Sequence, residues 1–82
     1  MDVRWEAHIT SDPAVMVGKP VVKGTRLTVE HVLDLLASGW SEATIIENYP
    51  QLSEESIRAV LRFAAESMRD LKLFPASANA GS

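Results

Sequence analysis

From Leu27 onward the apolar positions of this chain recur at helical spacing. Val29, Val32, Leu33 and Leu36 fall at i, i+3, i+4 and i+7, one stripe of a 3.6-residue period. The stripe predicts a first helix from about Val29 to Ser38, with Gly39 placed to take the left-handed conformation that ends a helix. Ala43, Ile46 and Tyr49 share one side of a two-turn helix from Glu42 to about Tyr49, stopped by Pro50. Ile57, Val60, Leu61, Ala64, Ala65, Met68 and Leu71 make the stripe of a third and longest helix, Glu54 to about Leu71. Each start carries the same signal, an apolar residue followed by a hydroxyl: Leu27-Thr28, Trp40-Ser41 and Leu52-Ser53. The hydroxyl caps an orphan N–H of the first turn. The apolar residue then packs on position N4, which is Val32, Ile45 and Ile57 in turn, as a hydrophobic staple.

Before Leu27 the pattern changes. Ala7-His8-Ile9-Thr10 is short and β-prone and is broken by Ser11-Asp12-Pro13. Val15-Met16-Val17 is a second short run, closed by Gly18-Lys19-Pro20. Val21-Val22 and Arg26-Leu27 flank Lys23-Gly24-Thr25, which reads as a three-residue hairpin loop with Gly24 at positive φ. Strands this short are unstable alone and must pack on the helices or on another chain. The pattern predicts one mainly α domain: an N-terminal β arm over 1–28, a tri-helical core over 29–71 and a flexible tail over 72–82. Short helix, tight glycine turn, short helix, short turn, longer helix is the tri-helical helix-turn-helix plan. Any three-helix bundle with a β arm fits the same pattern equally well.

Composition narrows the class. Eighty-two residues make a single domain that hides only about 60% of its unfolded surface, so a second copy would relieve a marginal core. With 46% hydrophobic residues the chain packs rather than staying disordered. No run approaches the roughly 20 apolar residues of a membrane span, and Met1-Asp2-Val3-Arg4-Trp5-Glu6 has no apolar h-region, so no secretory signal is expected. The absence of cysteine suits a cytoplasmic setting and excludes thiolate metal sites. A net charge of −3 weighs against unaided tight binding to nucleic acid. The charge is uneven, however: Lys19, Lys23 and Arg26 cluster, whereas Leu27 to Leu52 holds acids and no Lys or Arg.

No catalytic, cofactor or metal constellation stands out. His8 and His31 lack partners at ligand spacing and read as ordinary polar residues. Gly18 to Thr25 resembles a phosphate-binding loop in composition only, because the order is Lys-Gly-Thr and Pro20 removes an N–H donor. The arm residues Lys19, Lys23 and Arg26 are candidates for phosphate contact, or else lysines that discourage edge pairing. Arg58 and Arg62 on the third helix extend the candidate DNA surface. Arg58 and Arg69, however, stand at pairing distance from Glu54 and Glu66, and the acids Glu54 and Glu55 would repel phosphate from the helix start. Val60, Phe63, Ser67, Leu71 and Phe74 form a second apolar line. With Leu73 they are the candidate surface for another chain, unless the N-terminal strands cover that face.

Two stretches carry a family resemblance. Ser11-Asp12-Pro13 with Gly18-Lys19-Pro20-Val21-Val22-Lys23-Gly24-Thr25-Arg26-Leu27-Thr28-Val29 is the first. Ile45-Ile46-Glu47-Asn48-Tyr49-Pro50-Gln51-Leu52-Ser53 with Ile57-Arg58-Ala59-Val60-Leu61 is the second. Both resemble a small prokaryotic family, domain of unknown function 433, over roughly Ile9 to Glu66. The resemblance implies a homeodomain-like helix-turn-helix fold with an N-terminal β arm. It also implies a bacterial antitoxin, similar to VapB antitoxins, beside a PIN-type nuclease toxin. It brings no catalytic residues. Antitoxins of this kind commonly wrap the toxin with a long tail. Only about Asp70 to Ser82 is available here, so the expected contact is short or uses the folded domain. The expected function is therefore a non-enzymatic antitoxin that binds its toxin and, as a homodimer, its operator DNA. A stand-alone DNA-binding regulator and a protein-interaction module without DNA binding are the alternatives.

Overall fold

A computed structural model describes residues 4–14 and 18–69. The β-prone run Val15-Met16-Val17 lies outside the described residues, as do Leu71, Leu73, Phe74 and the rest of the tail. The described chain is mainly helical. A 3-10 turn at Trp5–Ala7 leads to β1 (Ile9–Thr10) and β2 (Val21–Val22), followed by α1 (Val29–Ala37), α2 (Glu42–Asn48) and α3 (Glu54–Arg69).

All three helix starts are capped by the hydroxyls that the sequence singles out. Thr28 Oγ1 accepts the His31 N–H at 3.0 Å, Ser41 Oγ accepts the Thr44 N–H at 3.1 Å, and Ser53 Oγ accepts the Ser56 N–H at 3.1 Å. At α3 the cap is reciprocal, because Ser56 Oγ accepts the Ser53 N–H at 2.7 Å. This is a capping box with serine in the place usually held by Glu or Gln, and it explains why the polar Ser56 is buried. The three N4 residues, Val32, Ile45 and Ile57, are each 0% exposed. With Val60 they are the largest fully buried side chains described. The staples therefore close directly onto the core.

α1 ends as predicted. Gly39 has φ 97°, its N–H reaches the Leu36 carbonyl at 3.0 Å, and the Trp40 N–H reaches Leu35 at 3.1 Å. That is a Schellman closure, in which Trp40 finishes α1 and one residue later staples α2.

The arm differs from the expectation in two ways. Val21-Val22 pairs antiparallel with β1, in register Ile9 to Val22 and Thr10 to Val21. On its other edge it makes only an isolated bridge, Val21 to Thr28. The turn between those bridged residues keeps Gly24 at φ 79° as read, but it is one residue longer than the three-residue loop. The Val22 N–H bonds the Leu27 carbonyl at 2.9 Å, which leaves Lys23 to Arg26 in the turn, and the Thr25 N–H bonds the Val22 carbonyl at 3.0 Å. The Thr25 hydroxyl donates to the same carbonyl at 2.8 Å and accepts the Leu27 N–H at 3.0 Å, so Thr25 is fully used in shaping the turn. The second difference is at the start of the β-prone run: Ala7 ends a 3-10 turn, Trp5–Ala7, and the strand is confined to Ile9–Thr10. Ile9, Val22, Val29, Val32, Ile45, Leu52, Ile57, Ala59 and Val60 make one core, with Trp5, Leu27, Trp40 and Phe63 packed against it.

Candidate partner and nucleic-acid interfaces

The candidate partner line on α3 is largely covered. Val60 is 0% exposed, so it belongs to the core and presents nothing to another chain; this corrects the sequence reading. Phe63 is half-buried because Trp5 sits edge-on against its ring, with centroids 4.9 Å apart and planes at 74°. The Trp5 indole N–H also donates to Glu66 Oε1 at 3.0 Å, where spacing alone had pointed Glu66 toward Arg69. The physical cause is the 3-10 turn. It carries Trp5 across α3 and so covers one flank of the second apolar line. Of that line, Phe63 and Ser67 retain a surface, while Leu71, Leu73 and Phe74 lie outside the described residues.

What stays open is the flank of α3 that the sequence had assigned to the core. Leu61 is 43% and Met68 54% exposed, and Ala65 is exposed between them. Beside them an open groove of about 440 Å³ runs between α1 and α3, lined among others by Val29, Leu33, Phe63, Ala64, Ser67 and Met68. Its α1 rim carries Glu30 and Asp34, and Lys19 closes one end. Val29, Leu33 and Met68 were not singled out as interface residues. The excess of α3's apolar positions over one core was legible in the sequence; which of its two lines would stay open was not.

The candidate cations are not one patch. Lys19 Nζ lies 3.4 Å from Glu30 Oε1, at the groove. Lys23 Nζ donates to the Glu6 carbonyl at 3.1 Å and ties the hairpin turn to the 3-10 turn. Arg26 is exposed and lines a separate recess of about 630 Å³ with Thr10, Asp12, Thr25 and Gln51. Arg58 Nη2 lies 3.8 Å from Glu54 Oε1, the i, i+4 pair that the spacing predicts. Arg62 is half-buried. The two histidines have neighbours of their own: His31 Nε2 is 3.3 Å from the Tyr49 hydroxyl, and His8 Nε2 is 3.7 Å from Glu55 Oε2. Among the described residues no three acidic or histidine side chains gather where they could hold a metal ion. No described helix is long and apolar enough to cross a membrane.

The architecture defines a small, mainly helical domain with a two-stranded N-terminal sheet and exposed recesses on two sides. The chain belongs to the family described as "Protein of unknown function (DUF433)", which it matches over residues 9–64. It is similar to the uncharacterized protein y4eO of Sinorhizobium fredii (strain NBRC 101917 / NGR234), with 39% identity over 56 residues. That match covers 68% of this chain and 25% of the relative, so the chain spans about a quarter of that protein's length. Its fold is similar to the crystal structure of a DUF433 member protein from Anabaena variabilis ATCC 29413, with a TM-score of 0.70 at 23% identity. The superposition covers 74% of this chain and 60% of the other.

Proposed function

We propose that this chain is a non-enzymatic helix-turn-helix antitoxin of a type II toxin-antitoxin pair, which neutralises a PIN-like nuclease toxin and, as a dimer, binds operator DNA. The observation that carries the reading is the open apolar groove between α1 and α3. With the exposed Leu61 and Met68 beside it, the groove is a surface that a second chain, another copy or the toxin, could cover. In the helix-turn-helix plan α2, the turn through Pro50 and α3 form the DNA-facing unit. Arg26 and Gln51 share a recess beside that turn, which makes Arg26 the leading phosphate contact, with Lys19, Lys23, Arg58 and Arg62 as secondary ones.

A second reading is favoured by the charges themselves. Lys19, Lys23 and Arg58 already have partners within the chain, and Glu54 and Glu55 open α3. That arrangement suits an interaction module that does not touch DNA. The deciding experiment mixes the purified chain with the PIN-like nuclease encoded beside it and measures RNA cleavage. Cleavage that stops at near-equal amounts of the two proteins supports the antitoxin. A nuclease that stays fully active with excess chain rejects it. Anisotropy on operator DNA then separates the readings. Weak binding alone that tightens with toxin supports autoregulation, and no binding in either state leaves the interaction module.

A further inference from the structure

At 3.6 residues per turn, successive residues step about 100° around a helix axis. The positions of α3 therefore order themselves as Ser67 and Ala64, then Met68 and Leu61, then Ala65, then Arg58, Arg69 and Arg62. Ser67 and Ala64 line the groove. Met68, Leu61 and Ala65 stand proud of it, and Arg58 and Arg69 are exposed beyond them. On the opposite side, α1 raises Glu30 and Asp34 along the rim. Crossing this face from α1 to the far side of α3, one meets an acidic wall, an apolar trough, an apolar ridge and a basic bank.

We propose that this face pairs with the same face of a second copy of the chain about a two-fold axis. A half-turn about an axis standing between trough and ridge sets each ridge into the other copy's trough. The same half-turn lays each basic bank against the other copy's acidic wall, which is the self-complementarity an isologous interface requires. Met68 is the knob, and its unbranched thioether adapts to a shallow apolar seat. A partner of a single charge sign would match one flank and be repelled by the other, whereas a second copy matches both. Asp34 and Arg69 form the cross-pair at the rim, since Glu30 is already held by Lys19 and Arg58 by Glu54. The inference deepens the proposed dimer and rests on that dimer alone, not on a toxin or DNA.

The test is sedimentation equilibrium of the full chain without DNA or nuclease, on wild type, Met68→Lys, Asp34→Arg and the double exchange Asp34→Arg with Arg69→Asp. Asp34 and Met68 are exposed, so thermal melts of all variants should match wild type within a few degrees. Met68→Lys occurs twice in a two-fold dimer and should weaken it by about 100-fold or more, the equivalent of losing two buried side chains. Asp34→Arg should weaken it by about tenfold through like-charge contact, and the double exchange should restore it. A wild-type monomer, a Met68→Lys chain that dimerises like wild type, or a double exchange without rescue would each overturn the proposal. Nuclease inhibition measured on the same variants keeps the two readings apart. A monomeric variant that still inhibits leaves the antitoxin intact. A dimer that the variants dissociate but that never inhibits leaves the surface intact and removes the toxin.

Discussion

Gly24 sits at φ 79°, and a Cβ built there meets no atom within 4 Å. Replacement by alanine therefore carries backbone strain without a clash, and Gly24→Ala should lower stability by about 1 kcal/mol, read as a shift in the urea midpoint. Gly24→Asn should cost less, because asparagine tolerates the left-handed region; an equal or larger loss would mean that something other than φ matters there. Trp5 makes two separable interactions. Trp5→Phe keeps a ring against Phe63 and loses only the indole bond to Glu66, an expected loss of about 1 kcal/mol. Trp5→Ala loses the edge-on contact and apolar cover as well, for about 2 to 3 kcal/mol in all. If the two variants melt together, the aromatic pair contributes nothing and Phe63 is held by the core alone.

The helices show how much of this fold is written locally. Thr28, Ser41 and Ser53 cap helices within three residues of themselves, and each staple spans five positions, so both were legible from the sequence. Ser53→Ala should therefore cost about 1 kcal/mol. Ile57→Ala, which empties a fully buried N4 site, should cost about 3 kcal/mol. Denaturant titration of the two variants checks that ordering, and the reverse order would show that the cap and not the staple anchors α3. The rotational setting of α3 was not legible. Val60, Phe63 and Ser67 form as regular a line as Leu61, Ala65 and Met68, and periodicity cannot say which line another element will cover. The decision falls to Trp5–Ala7, a turn too short to show a period. The same limit applied to the arm, where a turn could be read from Gly24 but the pairing of Val21-Val22 with the distant Ile9-Thr10 could not. The candidate cations could be named as residues, but the placement of Lys19 at the groove and Arg26 in the other recess is a matter of tertiary structure.

For the whole molecule the arm is both a cover and a carrier of charge. Lys23 is committed to the Glu6 carbonyl, whereas Arg26 stands exposed in its recess. Lys23→Glu should lower the melting temperature by about 4 to 8 °C for each kcal/mol it removes. Arg26→Glu should leave the melt unchanged while weakening any operator binding and flattening its salt dependence by about one unit of slope. A stable Lys23→Glu chain with lost DNA binding would reverse those roles. The bond between Trp5 and Glu66 joins positions 61 apart, and long closures of this kind are the slow steps of small-domain folding. It also fixes an order of assembly. A polypeptide emerges from the ribosome amino end first, so Trp5 is made before its seat exists. While α1 and α2 are being synthesised Trp5 lacks Phe63 and Glu66, and its indole stays in water until those turns of α3 arrive. Among the described residues, the domain is thus fastened when Trp5 closes over the later turns of α3.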